Sequence, residues 1–273
     1  MSPEAVVRLG VLDDWVDLMA RYCYHVLVII EMELRKLRKD PSDLAIRAVQ
    51  PVLWLLVFGE AFSRFHVIPS EGVGYKAFLT PGILAQSITF ISIFYGIAII
   101  WERDMGLLQK IATTPIPRSA LILGKMLSAS VRSIGQAVII IILALVMHIR
   151  LHFSVEAAGG VLLIVVLGGA FFSGLSMVIA SLVRTRERMM GVGQLITMPL
   201  FFSSNALYPM SVMPAWLRVL ATVNPMSYLV GGLRGLLTSV PGESFGLDVA
   251  VLAFSGLLMW GLNTIVFPRV LVG

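Results

Sequence analysis

Long stretches without Asp, Glu, Lys or Arg constrain the fold of this chain more than any other feature of its sequence. Residues 77–101, 157–183 and 249–268 are each free of these four residue types. A helix needs about 20 mainly apolar residues to cross the hydrocarbon core of a bilayer. Each stretch can therefore form a membrane-spanning helix, and the sequence predicts an all-α polytopic membrane protein.

The composition supports lipid as the solvent for most of the chain. Of its 273 residues, 58% are hydrophobic and 14% are charged, and the mean hydropathy is +0.89, whereas soluble domains are about 25% charged. The single cysteine, Cys23, excludes an internal disulfide and a multi-cysteine metal site. The net charge of +5 could indicate a nucleic-acid partner. However, the basic residues lie between the apolar segments, so we interpret them as signals of membrane topology and expect no nucleic acid.

Six membrane-spanning helices are predicted, at residues 44–63, 77–101, 121–155, 157–183, 189–208 and 249–268. Residues 209–236, between the fifth and sixth spans, contain Pro209, Pro214 and the pair Asn224-Pro225, which break the segment into short helices. We expect these helices to be re-entrant, dipping into the outer leaflet and returning, with their irregular backbone buried in protein.

The basic residues divide unevenly between the two sides of this six-span arrangement. The side that holds both chain ends carries sixteen Lys and Arg residues, and the other side carries five, which are Arg64, Lys76, Arg150, Arg218 and Arg234. Cytoplasmic loops of membrane proteins are enriched in Lys and Arg. We therefore predict a multi-pass protein of the cell membrane with both termini in the cytoplasm.

The region before the first span is amphipathic. In residues 12–38, apolar side chains recur at three- and four-residue steps, and the far end, EMELRKLRKD, is charged and mostly basic. The pattern predicts an interfacial helix that lies on the lipids of the cytoplasmic leaflet. Residues 1–43 then form a cytoplasmic N-terminal region, and residues 44–273 form the transmembrane domain.

Residues 101–125 form a short polar and basic hairpin between the second and third spans. Residues 105–111 are amphipathic and are followed by Thr-Thr-Pro-Ile-Pro, in which the prolines end the helix and stiffen the turn. A stiff, partly exposed helix of this kind is suited to press into a cleft of a soluble partner. Glu102, Arg103 and Asp104 close the second span. They either anchor the helix end at the lipid headgroups or act as a hinge that passes movement from the hairpin into the span.

A different function class is indicated by His148, His152 and Glu156. These residues are spaced four apart, so on one helix they would share a face, which is a metal-ligand spacing. The signal is weak, because polar residues are also expected at the outer rim of a spanning helix, and we expect no metal site. The alternative function that it supports is an intramembrane enzyme that modifies lipids. A channel is a third option, but no ring of charge or filter-like segment is present in the sequence.

The chain carries no Walker A nucleotide-binding loop. Gly124-Lys125 is followed by Met126, and no glycine stands at the first position of the motif. ATP-driven transport would therefore need an ATPase on another chain, which would hold the ATP and Mg²⁺. This chain is predicted to bind no cofactor and not to be an enzyme.

Uncharged polar residues within the spans are the candidates for a substrate pathway. They are Gln86 and Thr89 on the second span and Gln194, Thr197, Ser203, Asn205 and Tyr208 on the fifth. Few charges lie at mid-membrane, whereas an ion pump or a proton-coupled carrier usually needs an intramembrane carboxylate. An amphipathic or lipid-like cargo, driven from outside the membrane, is therefore favoured.

Two motifs resemble those of the permease subunits of ABC-2-type exporters. The first, E-R-x-x-G-x-L-x-x-L-x-x-x-P, matches at Glu102, Arg103, Gly106, Leu108 and Pro115, and Ile111 replaces its second Leu. The second, P-x-x-x-x-P-x-W-L…N-P, matches at Pro209, Pro214, Trp216, Leu217, Asn224 and Pro225. The pattern resembles in particular the daunorubicin-resistance permeases and the nodulation lipo-oligosaccharide exporters.

The resemblance implies an ATP-driven exporter of a hydrophobic drug or lipid-linked glycan, built from a homodimer of permease chains and two ATP-binding chains. It implies that residues 104–118 form a coupling helix seated on the ATPase. The implied coupling residues are Glu102, Arg103, Asp104, Gly106, Leu107, Leu108, Ile111 and Pro115. Cargo would pass between the two permeases along the first, second and fifth spans, and the re-entrant helices would shape the exit.

Overall fold

Helices make up every regular element in the part of the chain that the structure describes. The computed structural model describes residues 3–40, 42–65, 74–152, 154–183, 185–238 and 244–266, which contain no β-strand. The α-helices are α1 (Pro3–Lys39), α2 (Ser42–Leu53), α3 (Gly59–Phe65), α4 (Tyr75–Asp104), α5 (Leu107–Ala112), α6 (Arg118–Val146), α7 (Val155–Leu182), α8 (Arg186–Phe202), α9 (Ala215–Val223), α10 (Pro225–Leu237) and α11 (Phe245–Val266). The predicted all-α fold is therefore confirmed.

Several of these helices are suited to a bilayer. Five helical segments are long and apolar enough to cross a membrane, and they are Leu44–Phe62, Tyr75–Asp104, Arg118–Val146, Val155–Leu182 and Phe245–Val266. They confirm a polytopic membrane protein and match the first four predicted spans and the sixth. The first contains a π-helical turn, Trp54–Phe58, that follows Pro51, whose missing N–H removes a donor from the helical ladder. Residues 267 and 268, at the end of the sixth predicted span, lie outside the described residues.

The third span is shorter than predicted. Helix α6 ends at Val146, whereas the prediction extends to residue 155. His148 adopts a left-handed conformation with φ of 54°. The Ile149 N–H donates to the Ala144 carbonyl and the His148 N–H to the Leu145 carbonyl, the pattern by which left-handed residues close helix ends. The predicted helix is therefore wrong over residues 147–152 and at 154, because this cap turns the chain away, and residue 153 lies outside the described residues.

The fifth predicted span, 189–208, corresponds to the 17-residue helix α8. A helix of this length extends about 25 Å, which is less than the roughly 30 Å hydrocarbon core. The chain then leaves the helix through turns at residues 203–206. The number of six spans, with α8 as the fifth, thus stays a prediction.

Short helices follow α8, as the prolines of residues 209–236 predict. Asn224 begins α10 by accepting a hydrogen bond from the Met226 N–H at 2.9 Å on its side-chain oxygen. Helix α10 is packed inside the bundle against α4, α7 and α11, and Leu229 and Leu233 are fully buried. The irregular backbone around α10 therefore has protein contacts, which a segment at membrane depth requires. Its re-entrant placement stays a prediction.

Helix α1 starts earlier than the predicted residue 12 and lies along α6. Its inner side carries Val26 and Ile29, which are buried. Its outer side exposes Leu18, Met19 and Leu27, so the helix has two apolar faces rather than one. The outer face is free to contact lipid, as the predicted interfacial position requires.

Helix α4 occupies the middle of the bundle, where it contacts α6, α7, α8 and α10. It crosses α7 closely at Gly96, whose N–H donates to the Ser176 hydroxyl at 2.9 Å. A Cβ at position 96 would overlap that hydroxyl oxygen, so the close approach requires glycine. Because α4 contacts four other helices, a partner bound at its last turn would be connected to the whole bundle. We call the end of the bundle that contains Glu102, Lys125 and Arg132 the charged end.

Candidate functional site

The hairpin after α4 folds through a tight turn at Gly106. This residue has φ of +68° and precedes the six-residue helix α5. Its N–H donates to the Arg103 carbonyl at 2.9 Å. A residue with a side chain is disfavoured in this left-handed conformation by about 1–2 kcal/mol. Gly106 therefore fixes the angle between α4 and α5, and we call residues 105–117 the elbow.

Helix α5 is seated on the bundle by one face. Leu108 is fully buried in an apolar cluster with Ile29, Tyr95 and Leu121, which come from α1, α4 and α6. Ile111 is partly buried against the same cluster. The opposite side is exposed to solvent and presents Met105, Gln109, Lys110, Thr113 and Pro115. The predicted amphipathic helix is present, with its apolar face turned to the bundle and its polar face outward.

Glu102, in the last turn of α4, is buried between two other helices. It is 5% exposed. Its carboxylate accepts hydrogen bonds from Lys125 of α6 at 2.5 Å and from Lys36 of α1 at 3.0 Å. A carboxylate that only anchors a helix at the headgroups would face solvent. The geometry therefore favours the interpretation of Glu102 as part of a hinge.

The ion pairs of Glu102 belong to a larger cluster. Arg132 of α6 pairs with Glu33 of α1, and Lys36 lies 3.6 Å from the same carboxylate. Burial lowers the pKa of Lys36, but the carboxylates of Glu102 and Glu33 outweigh that effect and leave the pKa above its ordinary value. We call Glu33, Lys36, Glu102, Lys125 and Arg132 the charge cluster. Removing one partner of a buried pair of this kind costs about 3–5 kcal/mol.

Four members of this cluster were not predicted as site residues, and they are Glu33, Lys36, Lys125 and Arg132. Lys125 and Arg132 fit a pattern of basic residues that reach the headgroups from a helix end. Lys125 and Arg132 lie two turns apart on one face of α6, and this spacing is the feature of the sequence that indicates a shared environment. Their partners Glu33 and Glu102 lie in other helices, so the pairing becomes visible only in the folded chain.

Asp104 connects the same turn of α4 to a third helix. It pairs with Arg186, at the start of α8, at 3.0 Å and with Arg103 at 3.2 Å. The Arg186 guanidinium also lies over the Trp101 ring, 3.7 Å from its centroid, a favourable cation–π contact. Residues 102–104 thus link the elbow to α1, α6 and α8.

The candidate pathway residues lie on α4, on α8 and on the segment that follows α8, and α4 and α8 pack against each other. Gln86 and Thr89 are buried on α4. On α8, Thr197 is buried and donates to the Gly193 carbonyl, whereas Gln194 is exposed. The two groups lie on separate helices that both belong to the predicted pathway.

The remaining three candidates lie after α8 and connect neighbouring segments. The Ser203 hydroxyl accepts from the Asn224 side-chain amide at 3.0 Å. The Asn205 carbonyl accepts from Arg234 at 2.8 Å, and the Tyr208 hydroxyl donates to the Phe202 carbonyl at 2.6 Å. Arg234, which the topology argument placed in a loop, is instead 6% exposed and stacks on Phe78 at 3.8 Å.

Comparison with known proteins identifies the family. Residues 24–238, which include the charge cluster, the elbow and α10, match the ABC-2 type transporter family. The chain belongs to the ABC-2 type transporter family. Members of this family are permeases that function with an ABC-type ATP-binding subunit and are not themselves catalytic.

Individual relatives extend over most of the chain. The putative transport permease ycf38 of Cyanophora paradoxa is 27% identical over 220 residues, which are 79% of this chain and 74% of that protein. The daunorubicin resistance ABC transporter permease protein DrrB1 of Streptomyces coeruleorubidus is 23% identical over 202 residues, 74% of this chain and 71% of that protein. Nodulation protein J of Rhizobium meliloti is 23% identical over 225 residues, 80% and 83% of the two chains. The resemblance to daunorubicin-resistance and nodulation permeases is therefore confirmed.

In this ABC-2 permease the three residues of the alternative enzyme hypothesis lie in different segments, although His152 and Glu156 line one pocket. His148 lies in the turn that ends α6, His152 lies in the following loop, and Glu156 lies in the first turn of α7. The prediction of a shared helix face is wrong, because α6 ends before all three residues. Within the described part of the chain, no group of three or more His, Cys, Asp or Glu side chains could hold a metal ion.

Proposed function

We propose that this chain is the permease subunit of an ATP-driven exporter that moves a hydrophobic drug, a lipid or a lipid-linked glycan out of the cytoplasm or the inner leaflet. The observation that carries the proposal is the linkage of the elbow to the bundle by Glu102 and Asp104. Because these carboxylates bind α1, α6 and α8, a displacement of the elbow acts on four helices at once. A helix that merely ended at the membrane surface would not need these connections.

The exposed side of the elbow is the proposed docking face for the ATP-binding subunit. Met105, Gln109, Lys110 and Thr113 are exposed there, and they surround the helix α5 whose other face is held by Leu108. ATP and Mg²⁺ would bind to the partner, and the force of closure would reach α4 through α5. Leu107 and Pro115 complete the face, and Arg103 supports Asp104 within it.

The placement in the membrane follows from the same proposal. The charged end faces the cytoplasm, and both termini lie on that side, in agreement with the distribution of Lys and Arg. A second copy of the permease completes the cargo path, so that the complex contains two permeases and two ATP-binding chains in the cell membrane. Residues 1–43 form the cytoplasmic N-terminal region and contact the membrane lipids.

The candidate pathway residues keep their proposed role in a complex of two permeases. Gln86 and Thr89 on α4 and Thr197 and Gln194 on α8 would face cargo between the copies. Ser203, Asn205 and Tyr208, which hold the segments around α10, would shape the exit on the opposite side.

A co-purification experiment tests the proposal. The permease is expressed with its ATP-binding subunit, and association and ATP hydrolysis are measured for the unchanged chain and for Lys110→Glu. We expect Lys110→Glu to reduce association at least tenfold, because it reverses a charge on the docking face. Arg188→Glu is the control, because Arg188 is exposed outside the elbow.

Equal association of both variants would contradict the docking face. Protease cleavage provides a second measurement in sealed vesicles of known orientation. Cleavage within residues 105–117 from the extracellular side would overturn the proposal as a whole.

A further inference from the structure

A groove runs along α4 from its middle to the charged end. Its deeper part has a volume of about 240 Å³ and lies between α2, α4 and α6. Its mouth adds about 310 Å³ and reaches the last turn of α4. The two parts share Arg47, Ile91 and Phe94 in their walls, so they form one continuous space. We call it the α4 groove.

The deep part of the α4 groove contains two buried amides. Gln86 of α4 is 3% exposed and Gln136 of α6 is 1% exposed. Neither the nitrogen nor the oxygen of either side chain has a hydrogen-bond partner among the described residues. A buried polar group without a partner is destabilising, and native structures contain few of them. The pair is therefore suited to bind a ligand that has hydrogen-bonding oxygens.

The mouth of the α4 groove is cationic. Lys36, Arg47 and Arg132 line it, and Glu102 is the carboxylate in its wall. Lys36 and Arg132 also hold the carboxylates of Glu102 and Glu33, so they are fixed in place before any ligand arrives. Pre-positioned cations of this kind attract an anionic group such as a phosphate, and they do so most strongly at a membrane surface.

The spacing of the two polar zones matches one class of molecule. Arg132 and Gln136 are one turn apart on α6, which is about 6 Å along the helix axis. Between and beside them, Phe90, Ile91 and Phe94 form an apolar wall. In a glycerophospholipid, the phosphate is followed within a few bonds by the ester carbonyls and then by the acyl chains. The groove thus offers partners for the anion, the acceptors and the apolar chains of such a lipid within one space.

We propose that the α4 groove binds an anionic glycerophospholipid from the leaflet at the charged end. The phosphate lies among Lys36, Arg47 and Arg132, the Gln86 and Gln136 amides donate to the ester carbonyls, and the acyl chains lie along Phe90 and Phe94. Resting on the proposed function, this inference narrows the cargo to an anionic lipid with hydrogen-bonding oxygens near its headgroup. The lipid site itself does not depend on the ATPase.

Lipid binding is measured on the purified permease without its partner. The chain is equilibrated with equal amounts of phosphatidylglycerol and phosphatidylcholine that carry the same acyl chains, and the retained lipids are counted by native mass spectrometry. We expect the unchanged chain to retain phosphatidylglycerol about tenfold more strongly, because both lipids carry the phosphate but only phosphatidylcholine brings a quaternary ammonium, which the cations of the mouth repel. Equal retention of the two lipids would overturn the proposal.

Two variants examine the two polar zones. Arg47→Gln removes a cation of the mouth, and the double variant Gln86→Leu, Gln136→Leu removes both amides at nearly constant volume. We expect Arg47→Gln to reduce the preference for phosphatidylglycerol. We expect the double variant to reduce the retention of both lipids, because both carry the ester carbonyls that the amides bind. Arg188→Gln makes the same charge change at an exposed position outside the groove and should leave the preference intact. An unchanged preference in Arg47→Gln, or unchanged retention of both lipids in the double variant, with normal size-exclusion profiles, would refute the assignment.

A competition experiment distinguishes a lipid phosphate from a soluble phosphate, and a transport experiment tests whether the bound lipid is the cargo. Glycerol 3-phosphate carries the anion without acyl chains, and equal competition by it would show a site for soluble phosphates instead of lipid.

In the complex with the ATPase, we expect ATP-dependent movement of fluorescent phosphatidylglycerol between leaflets, reduced about tenfold by Arg47→Gln. ATPase coupling without such movement would overturn the cargo assignment while the proposed function stands. Retention of phosphatidylglycerol by a permease that never associates with an ATPase would refute the proposed function alone.

Discussion

Glu102 and Lys125 form a salt bridge of 2.5 Å in which each side chain is only 7% exposed. Glu102 belongs to the last turn of α4, and Lys125 lies two turns inside α6. The pair therefore joins the helix that continues into the elbow to the helix that follows it. Because both charges are shielded from water, their separation is costly, and the two helix ends are expected to move as a unit.

Replacing Glu102 by Gln should destabilise the permease more than replacing Asp104 by Asn. Glu102→Gln leaves buried Lys125 without a charged partner, which costs about 3 kcal/mol. The Asp104–Arg186 pair is partly exposed on both sides, so its loss should cost less than about 1 kcal/mol. Thermal unfolding in detergent measures both effects. Equal midpoints for the two variants would show that Glu102 does not depend on its buried partners.

A double variant tests whether the loss comes from the unpaired charge. Glu102→Leu together with Lys125→Met removes both charges and fills a similar volume, and such replacements are often close to neutral. Most of the stability lost in Glu102→Gln should therefore return. Coupling of ATP hydrolysis to transport should remain impaired, because the ion pair between Lys36 of α1 and residue 102 of α4 is still lost. Full recovery of transport would argue against a role of the charge cluster in transmitting movement.

The sequence contains enough information to predict the spans that depend on composition alone. Residues 77–101, 157–183 and 249–268 lack charge, and lipid selects such stretches wherever they occur in the chain. The charge cluster depends on pairs that are 99 residues apart, for Glu33 and Arg132, or 23 apart, for Glu102 and Lys125. No local pattern records such distances, so Lys125 and Arg132 were not predicted as site residues.

The third span ends earlier than predicted because of a local backbone conformation at His148. A histidine rarely adopts positive φ, and apolar residues precede His148 and alternate with Arg150 and His152 after it. The sequence before the turn shows no break in hydropathy, so the prediction extends the helix too far. His148 and His152 fell within that extension, and the helix face that they would share with Glu156 disappeared with it.

Gly106→Ala should weaken coupling more than Gly106→Asn. Both changes place a Cβ on a residue with φ of +68°, which costs about 1–2 kcal/mol for alanine. Asparagine tolerates this conformation better, because its short polar side chain bonds to the local backbone. ATP hydrolysis stimulated by the permease, compared at equal amounts of assembled complex, provides the measurement. If alanine and asparagine give equal stimulation, the turn angle does not govern coupling.

Two neighbouring residues of α5 should affect different properties, the stability of the permease for Leu108 and its association with the ATP-binding subunit for Gln109. Leu108→Ala removes a fully buried side chain from the cluster that seats the elbow, and such truncations cost about 2–5 kcal/mol. Gln109→Ala alters an exposed side chain, so it should leave stability unchanged and weaken only the association with the ATP-binding subunit. Unfolding midpoints and co-purification yields distinguish the two classes of effect. A stable Leu108→Ala variant would mean that α5 is not held by its buried face.

Removing both histidines tests the alternative function. In His148→Ala, His152→Ala, we expect transport and unfolding temperature to stay within the range of the unchanged chain, apart from a loss of up to about 1 kcal/mol at His148, where alanine also takes a left-handed conformation. His148→Gly is the matched control, because glycine adopts that conformation freely and should restore the loss. A membrane extract supplied with labelled lipids reports any lipid-modifying activity. If such activity is present in the unchanged chain and absent from both histidine variants, His148 and His152 act together in chemistry that their separation in this structure argues against.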